Sequence, residues 1–525
     1  MLRKIKNIVS PKLRDFLLCI LSAILLALSF PNVNCWPLAW FAFVPLFLAI
    51  QNKSKAKAFL LSYLTGIIFW LGIIYWLIHV TLAGMIVLVL YLALYFGMFG
   101  LVFSSIEQSL PAGRQGASSI EYLFIPSLWV ILEYIRSHLF TGFPWALLGY
   151  SQYLNLPVIQ FADIAGVWGV SFLVMMINVA IYLATSHKPQ ATSYKSSTLR
   201  GLVFSGVIFI CVLSYGYYKL YLRPTAYGLR PTKISVIQGN IPQEFKWDPE
   251  AKDYILEKYL NITRNVNKDR PDLIIWPEAA LPVVLEEEPI FIEQVKKLAK
   301  EIKISILLGV VNAQNDHYYN SALLISSEGE ILTKYYKLHL VPFGEYIPFR
   351  KTLRFLETIV PIGDFTAGRE YTLFRVQSTE YRVQSKFSVL ICFEDLFPEL
   401  SREFRKRGAD YLVNITNDAW FGKTSAPYQH HSMVVFRAVE NRVPVARAAN
   451  TGVTSVIGWD GRIGRQTGIF TRGFVVDPIQ TLSAGGRTFY TRHGDLFAKV
   501  IMVLALVLLV GAGVRKEGKG RVPGT

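Results

Sequence analysis

Cysteine is scarce in this chain. Its 525 residues include four, and only Cys392 falls in the long polar stretch after residue 220. Cys19, Cys35 and Cys211 lie in or beside hydrophobic segments. No CxxC or HExxH spacing occurs and His430 and His431 are adjacent, which argues against the usual zinc sites. A GxSxG nucleophile elbow and a P-loop are both missing. No repeat of solenoid or propeller period is present. Charge is thin as well: 17% of residues are charged against 52% apolar, a balance that points to a membrane protein.

The apolar residues are concentrated in eight segments, at about 15–31, 36–51, 57–79, 82–105, 119–139, 158–185, 199–220 and 496–514. Crossing a bilayer takes roughly 20 residues, so 36–51 is the shortest candidate. The net charge of +17 is not the mark of a nucleic-acid binder, because much of it sits in short clusters beside these segments. Arg3, Lys4, Lys6, Lys12 and Arg14 precede the first. Lys53, Lys55 and Lys57 follow the second, Lys188, Lys195 and Arg200 the sixth, and Arg515, Lys516, Lys519 and Arg521 the last. With eight spans every basic loop falls on one side, which places both termini in the cytoplasm and residues 221–495 outside. The first segment has a basic start like a signal peptide but no good small-residue cleavage site, and reads as retained. Ala112–Gly116 is a turn-rich loop. Within the fifth segment Glu133 and Arg136 are costly in lipid. They either pair, being i,i+3, or sit at the interface. The chain thus divides into a membrane part, 1–220, an outer domain, 221–495, and a last span with tail, 496–525.

In the outer domain, Lys233–Gln238, Asp272–Trp276, Ser305–Val311, Ser321–Ser326, Phe387–Ile391 and Tyr411–Ile415 read as strands, and Pro249–Val266 and Pro289–Ile302 as helices. Strands apolar on consecutive positions are buried on both faces, so the pattern is α/β layering. Catalytic groups in such folds emerge at strand carboxyl ends. Three polar groups stand there or in an adjoining loop: Glu278 after Trp276-Pro277, Lys337 ahead of a Pro/Gly loop, and Cys392 after Ser388–Ile391. Each has an ordinary reading, as a helix cap, a solvated lysine and a core thiol. Together they supply acyl transfer: a carboxylate to take the thiol proton, a thiolate to attack a carbonyl, and an ammonium to hold the oxyanion and lower the thiol pKa. No metal or cofactor is required. The sequons at Asn261 and Asn414 read as coincidence, since the second falls in a predicted buried strand.

Glu, Lys and Cys in these surroundings resemble the carbon–nitrogen hydrolase (nitrilase) superfamily. With the membrane segments, the chain is similar to its apolipoprotein N-acyltransferase branch. The stretches that carry the likeness are Val236–Gln243 with Lys246-Trp247, Trp276-Pro277-Glu278, His339–Pro348, Ile391–Glu394, Asn417–Gly422 and, in the membrane part, Thr141–Trp145. The resemblance implies an αββα sandwich on eight transmembrane helices in a bacterial inner membrane, with the sandwich periplasmic. It also implies Glu278 as general base, Lys337 as oxyanion stabiliser and Cys392 as nucleophile. Glu345 and Glu394 match further acids, and Trp247 and Trp420 match aromatics on mobile loops near a lipid entrance. Phe393 departs from the tyrosine often found after the cysteine, which puts one hydrogen bond in doubt. Trp145 sits in an outward loop, where an ordinary interfacial tryptophan is the competing reading.

The implied reaction is ping-pong. Cys392 takes an acyl chain from a membrane phospholipid as a thioester, then passes it to the α-amino group of a diacylglyceryl-cysteine apolipoprotein. The rival readings are a membrane-anchored amidase acting on a soluble carbon–nitrogen substrate, a transporter with an outer binding domain, and a non-catalytic scaffold. A transporter would show related halves and broken helices, of which the sequence gives little sign.

Overall fold

The computed structural model describes residues 10–109, 117–186, 192–222, 232–348, 365–377, 384–481 and 486–517. Arg3, Lys4, Lys6, Lys188, Lys519, Arg521 and the Ala112–Gly116 loop lie outside these residues. The chain forms two compact units, Met1–Leu222 with Asp495–Thr525, and Arg223–Gly494.

In the first unit each apolar segment is helical: Pro11–Leu28, Val44–Ile50, Lys55–Ile74, Leu82–Ser109, Ala117–His138, Ala162–Ser186, Thr192–Tyr217 and Leu496–Glu517. Among the described residues, Lys55–His79, Leu82–Gln108, Ala162–Thr185 and Leu199–Leu222 are long and apolar enough to cross a membrane. The 36–51 segment differs from an ordinary span. It is a 3-10 turn, Trp36–Trp40, followed by the seven-residue helix Val44–Ile50. Pro37 and Pro45 open the two pieces, and proline suits a helix start but not its interior. The segment nevertheless carries the chain back along the unit. Asp15, near the start of Pro11–Leu28, pairs with Lys53 at 2.5 Å, Arg14 at 3.0 Å and Lys57 at 3.8 Å. The hydroxyl of Ser104 and the amide of Gln108 donate to the Lys53 carbonyl at the same end.

The second unit contains two six-stranded sheets. The first runs β12-β1-β2-β3-β4-β5, with β1 Thr232–Gln238, β2 Leu273–Ile275, β3 Ser305–Gln314, β4 His317–Ile325, β5 Ile331–Tyr336 and β12 Gly473–Ile479. The second runs β11-β10-β9-β8-β7-β6, with β6 Phe374–Gln377, β7 Gln384–Ile391, β8 Tyr411–Thr416, β9 Val445–Ala449, β10 Ser455–Ile457 and β11 Ile463–Gln466. Strands β1-β2-β3 and β7-β8-β9 are parallel, and the outer pairings are antiparallel.

Strand β2, the middle of β3 and the end of β7 read as unbroken apolar runs, because both of their faces are covered. Helices α1 (Lys252–Val266) and α2 (Pro289–Ile302) lay Ile255, Leu256, Tyr259, Val295 and Leu298 into the core with Ile274, Ile306 and Leu323. Helices α3 (Pro398–Arg407) and α4 (Ala426–Asn441) pack against β7 and β9, and the two sheets meet through β1 with β9 and β4 with β7. The layering is αββα, as expected. All six expected strands form, most of them longer than expected, and six further strands, β5, β6 and β9–β12, complete the sheets. Asn414 is wholly buried in β8.

Gly309 in β3 shapes the loop that leaves β2. Its N–H donates to the Pro277 carbonyl at 3.2 Å and its own carbonyl accepts from Ala280 at 2.9 Å. A Cβ there meets the Ala279 nitrogen at 2.5 Å and the Glu278 Cα at 2.6 Å, both backbone atoms. Gly309→Ala is therefore expected to destabilise the unit by about 1–3 kcal/mol, the usual cost of overpacking. Denaturant unfolding in detergent measures this, and an unchanged midpoint would show that the 277–280 loop yields.

Candidate active site

Cys392 follows β7 directly and opens the 3-10 turn Cys392–Leu396. Its φ of 52° is left-handed, a conformation that costs a non-glycine residue energy and must be held by its surroundings. Glu394 holds it. Buried and two residues on, its carboxyl accepts from Ile391 N at 2.7 Å, Leu338 N at 2.6 Å, His339 N at 3.1 Å and Tyr335 Oη at 2.8 Å. Burial pushes Glu394 up to about 7, against the pull of these donors and of Lys337. Because Tyr335 belongs to β5 and Ile391 to β7, this one side chain joins the strand that delivers Lys337 to the strand that delivers Cys392.

Glu278 leaves the end of β2 and Lys337 the end of β5. The Lys337 ammonium is 1% exposed and lies 3.8 Å from Glu278 Oε1 and 2.9 Å from Glu345 Oε2. Asn320, in β4, donates one amide nitrogen to both carboxylates, to Glu278 Oε1 at 2.8 Å and Glu345 Oε1 at 2.7 Å. Glu345 Oε2 also accepts from Val341 N at 2.8 Å. Burial opposes the Lys337 charge, but Glu345 and Glu278 outweigh it and hold its pKa above the ordinary value. The Cys392 thiol moves up too, through desolvation first and then Glu278, with Lys337 pulling the other way. Lys337 does act to lower the thiol pKa, as the sequence suggests, but desolvation is the larger effect and the net shift is upward. The resting sulfur is a neutral thiol. Reaction at this sulfur then requires a base, and after burial Glu278 is the largest influence on the thiol.

Two further residues at the site do not stand out in the sequence. Asn320 had only the weak signal of an amide in an apolar strand. Lys246 was read as a companion to Trp247, yet it is buried and its Nζ donates to the Glu278 carbonyl at 3.0 Å. Trp247 and Trp420 stay about half exposed, as do Phe245 and Phe343. Their loops are linked, since Asn417 donates to Gln243 Oε1 at 2.8 Å and Asn450 bridges the Asn417 side chain and the Ile241 carbonyl. Phe393 packs edge-on to Phe397 at 5.2 Å. Trp145 belongs to the other unit and is buried there against Trp76, with ring centroids 5.0 Å apart. That burial is unlike an ordinary interfacial tryptophan.

Residues 22–180 match the family described as apolipoprotein N-acyltransferase N-terminal domain, and residues 233–485 match carbon–nitrogen hydrolase. The apolipoprotein N-acyltransferase of Geobacter metallireducens is 41% identical over 96% of both chains. The chain belongs to the apolipoprotein N-acyltransferase family. The member from Methylococcus capsulatus is 32% identical over 92% of this chain and 93% of its own. Among solved structures, a Nesterenkonia amidase of the nitrilase superfamily aligns with 52% of this chain and 97% of its own, at 20% identity and a TM-score of 0.39. That likeness adds nothing to the assignment.

This N-acyltransferase family member also buries a closed ring of charge beside Cys392. Asp395 accepts from His430 Nε2 and Arg447 Nη1, both at 2.9 Å, and Asp418 accepts from His430 Nδ1 at 2.9 Å and Arg447 Nη2 at 3.0 Å. The ring links the turn after Cys392 to the loop that carries Trp420. Burial works against the His430 charge, but Asp395 and Asp418 prevail over it and over Arg447, raising its pKa from 6.5 to about 9. A raised histidine contributes stability that is complete below about pH 6.5 and is lost as pH climbs through about 9. His430→Gln is expected to cost about 3–5 kcal/mol near neutral pH, as breaking a buried pair does, and to flatten this alkaline loss. Calorimetry across that pH range tests both, and equal slopes in the two proteins would exclude the ring as the cause.

Proposed function

We propose that this acyltransferase moves an acyl chain from a membrane phospholipid to the N-terminal α-amino group of a diacylglyceryl-cysteine apolipoprotein, with Cys392 as nucleophile, Glu278 as base and Lys337 as oxyanion stabiliser. The observation that carries the reading is a neutral thiol at a strained strand end, electrostatically coupled both to a carboxylate and to a lysine locked in its charged form. Cys392 Sγ attacks the ester carbonyl as Glu278 takes the thiol proton, and Lys337 stabilises the developing oxyanion. The C–O bond breaks, Glu278 returns the proton to the leaving lysophospholipid oxygen, and a thioester remains. The acceptor nitrogen then attacks that thioester, the C–S bond breaks, and the more stable amide carries the reaction forward.

Glu345 positions Lys337, and Glu394 fixes both strand ends. Exposed Phe245, Trp247, Phe343 and Trp420 supply apolar surface suited to a lipid substrate, and Phe393 lines the turn beside the nucleophile. In this reading residues 1–220 and 496–525 anchor the enzyme by eight crossings in a bacterial inner membrane. Both termini are then cytoplasmic, the 221–495 domain is periplasmic, and Trp145 braces the outward loop of the anchor. No nucleic acid and no cofactor take part.

Intact mass of the purified full-length protein with phospholipid, taken before and after neutral hydroxylamine, tests the acyl-enzyme. The expected result is a labile acyl adduct, absent from Cys392→Ala and formed about 10²–10⁴-fold more slowly by Glu278→Gln. An adduct-free wild type that hydrolyses soluble amides would replace this reading with a membrane-anchored amidase.

A further inference from the structure

Two buried lysines flank Glu278, and their surroundings differ in kind. Lys337 touches Glu345 at 2.9 Å and Glu278 at 3.8 Å, so carboxylates hold its proton. Lys246 is 4% exposed and, among the described residues, has one hydrogen-bond partner, the Glu278 main-chain carbonyl at 3.0 Å. A carbonyl accepts a hydrogen bond without neutralising a charge, and an ammonium has three N–H bonds to satisfy. The titratable groups that face Lys246 are Glu278 and Cys392. Burial pushes it down to about 8 while those two oppose the shift. Of the two lysines, only Lys246 lacks a carboxylate hydrogen-bond partner among the described residues, and a pKa of about 8 leaves a minor fraction of it as free amine near neutral pH.

The proposed transfer has a step that needs such a group, and the inference rests on that transfer. The acceptor is an α-amine with an ordinary pKa of about 8, so much of it arrives as ammonium. Two protons must leave its nitrogen before the amide is complete. Glu278 handles one, taking it as the C–N bond forms and returning it to Cys392 Sγ as the C–S bond breaks. It has no capacity for the other, and Lys337 is already protonated.

We propose that neutral Lys246 takes the first proton from the acceptor ammonium, which makes it the base that prepares the second substrate. The steps balance. Lys246 accepts H⁺ from R–NH₃⁺, R–NH₂ attacks the thioester, Glu278 shuttles the remaining proton to sulfur, and Lys246 releases its proton to solvent. Formation of the thioester draws on Glu278 and Lys337 and leaves Lys246 unused.

The test separates the half-reactions on the full-length protein in detergent. Labelled phospholipid loads Cys392, and a diacylglyceryl-cysteine peptide then chases the label at a series of pH values. Lys246→Met and Lys246→Arg are expected to load as wild type does. Both should chase at least about tenfold more slowly near neutral pH and recover above about pH 9, where the acceptor is already a free amine. A Lys246→Arg chase at the wild-type rate would overturn the proposal in favour of a fixed charge. A defect in Lys246→Met that persists at every pH, or loss of loading in both variants, would overturn it in favour of a structural role. Failure of the wild type itself to load would instead sink the acyl-transfer reading beneath it.

Discussion

One buried carboxylate joins the two sheets of the catalytic unit where the chemistry is assembled. Four donors converge on Glu394: the Tyr335 hydroxyl and the backbone N–H groups of Leu338, His339 and Ile391. A side chain in that place must be all acceptor. A glutamine amide turns two donors toward a site that already supplies only donors, whereas an ionised carboxylate offers about four lone-pair positions and no donor. Burial pushes Glu394 up to about 7, and the convergent N–H groups keep the ion affordable at neutral pH. The result is geometric. Lys337 precedes two of the donating amides and Cys392 follows the third, so these two side chains arrive from different sheets at one point.

Charge is then distributed so that the thiol waits. Glu278 and Glu345 share the Asn320 amide and the Lys337 ammonium, and two like charges in a half-dry site are kept apart by donors between them. Desolvation keeps Cys392 protonated, so the sulfur gains a reactive electron pair only when a base removes its proton. A thiolate standing permanently beside lipid and solvent would react without selection. A buried neutral thiol does not.

How much of this was legible depended on whether a residue's neighbours in sequence were also its neighbours in space. Leu273–Ile275 and Val389–Ile391 are apolar on every position because both faces are covered, and the first polar residue beyond each run stands out. That contrast marked Glu278 and Cys392. Lys246 and Asn320 carry no such local contrast. One lies in a short turn beside a tryptophan, the other in a strand whose first residues are polar and exposed, and only the fold brings both to Glu278. Arg447 shows the opposite failure. In Val445–Ala449 it breaks an apolar run and disguises β9, because a wholly buried arginine is credible only once Asp395, Asp418 and Asn414 are known to surround it. Strands β10 and β11 are three and four residues long, too short for alternation to register.

The membrane unit puts two charges to a use that sequence spacing did not disclose. Glu133 and Arg136 suggested an i,i+3 pair or a place at the interface. Both are buried and both turn to the loop that follows their helix. Arg136 Nη1 donates to the carbonyls of Phe143 at 2.9 Å and Trp145 at 2.8 Å, and Glu133 Oε1 accepts from Leu148 N at 2.6 Å. Gly149 N donates to the Ser171 hydroxyl at 2.8 Å, so a neighbouring helix completes the set. Non-helical backbone inside an apolar bundle is tolerated only where its N–H and C=O groups find partners. The loop supplies orphan carbonyls and an orphan amide, and the two side chains supply the opposite groups, so the loop and the buried charges account for each other. Trp145 is buried for the same reason: its carbonyl is bound by Arg136, and its ring is carried inward to Trp76.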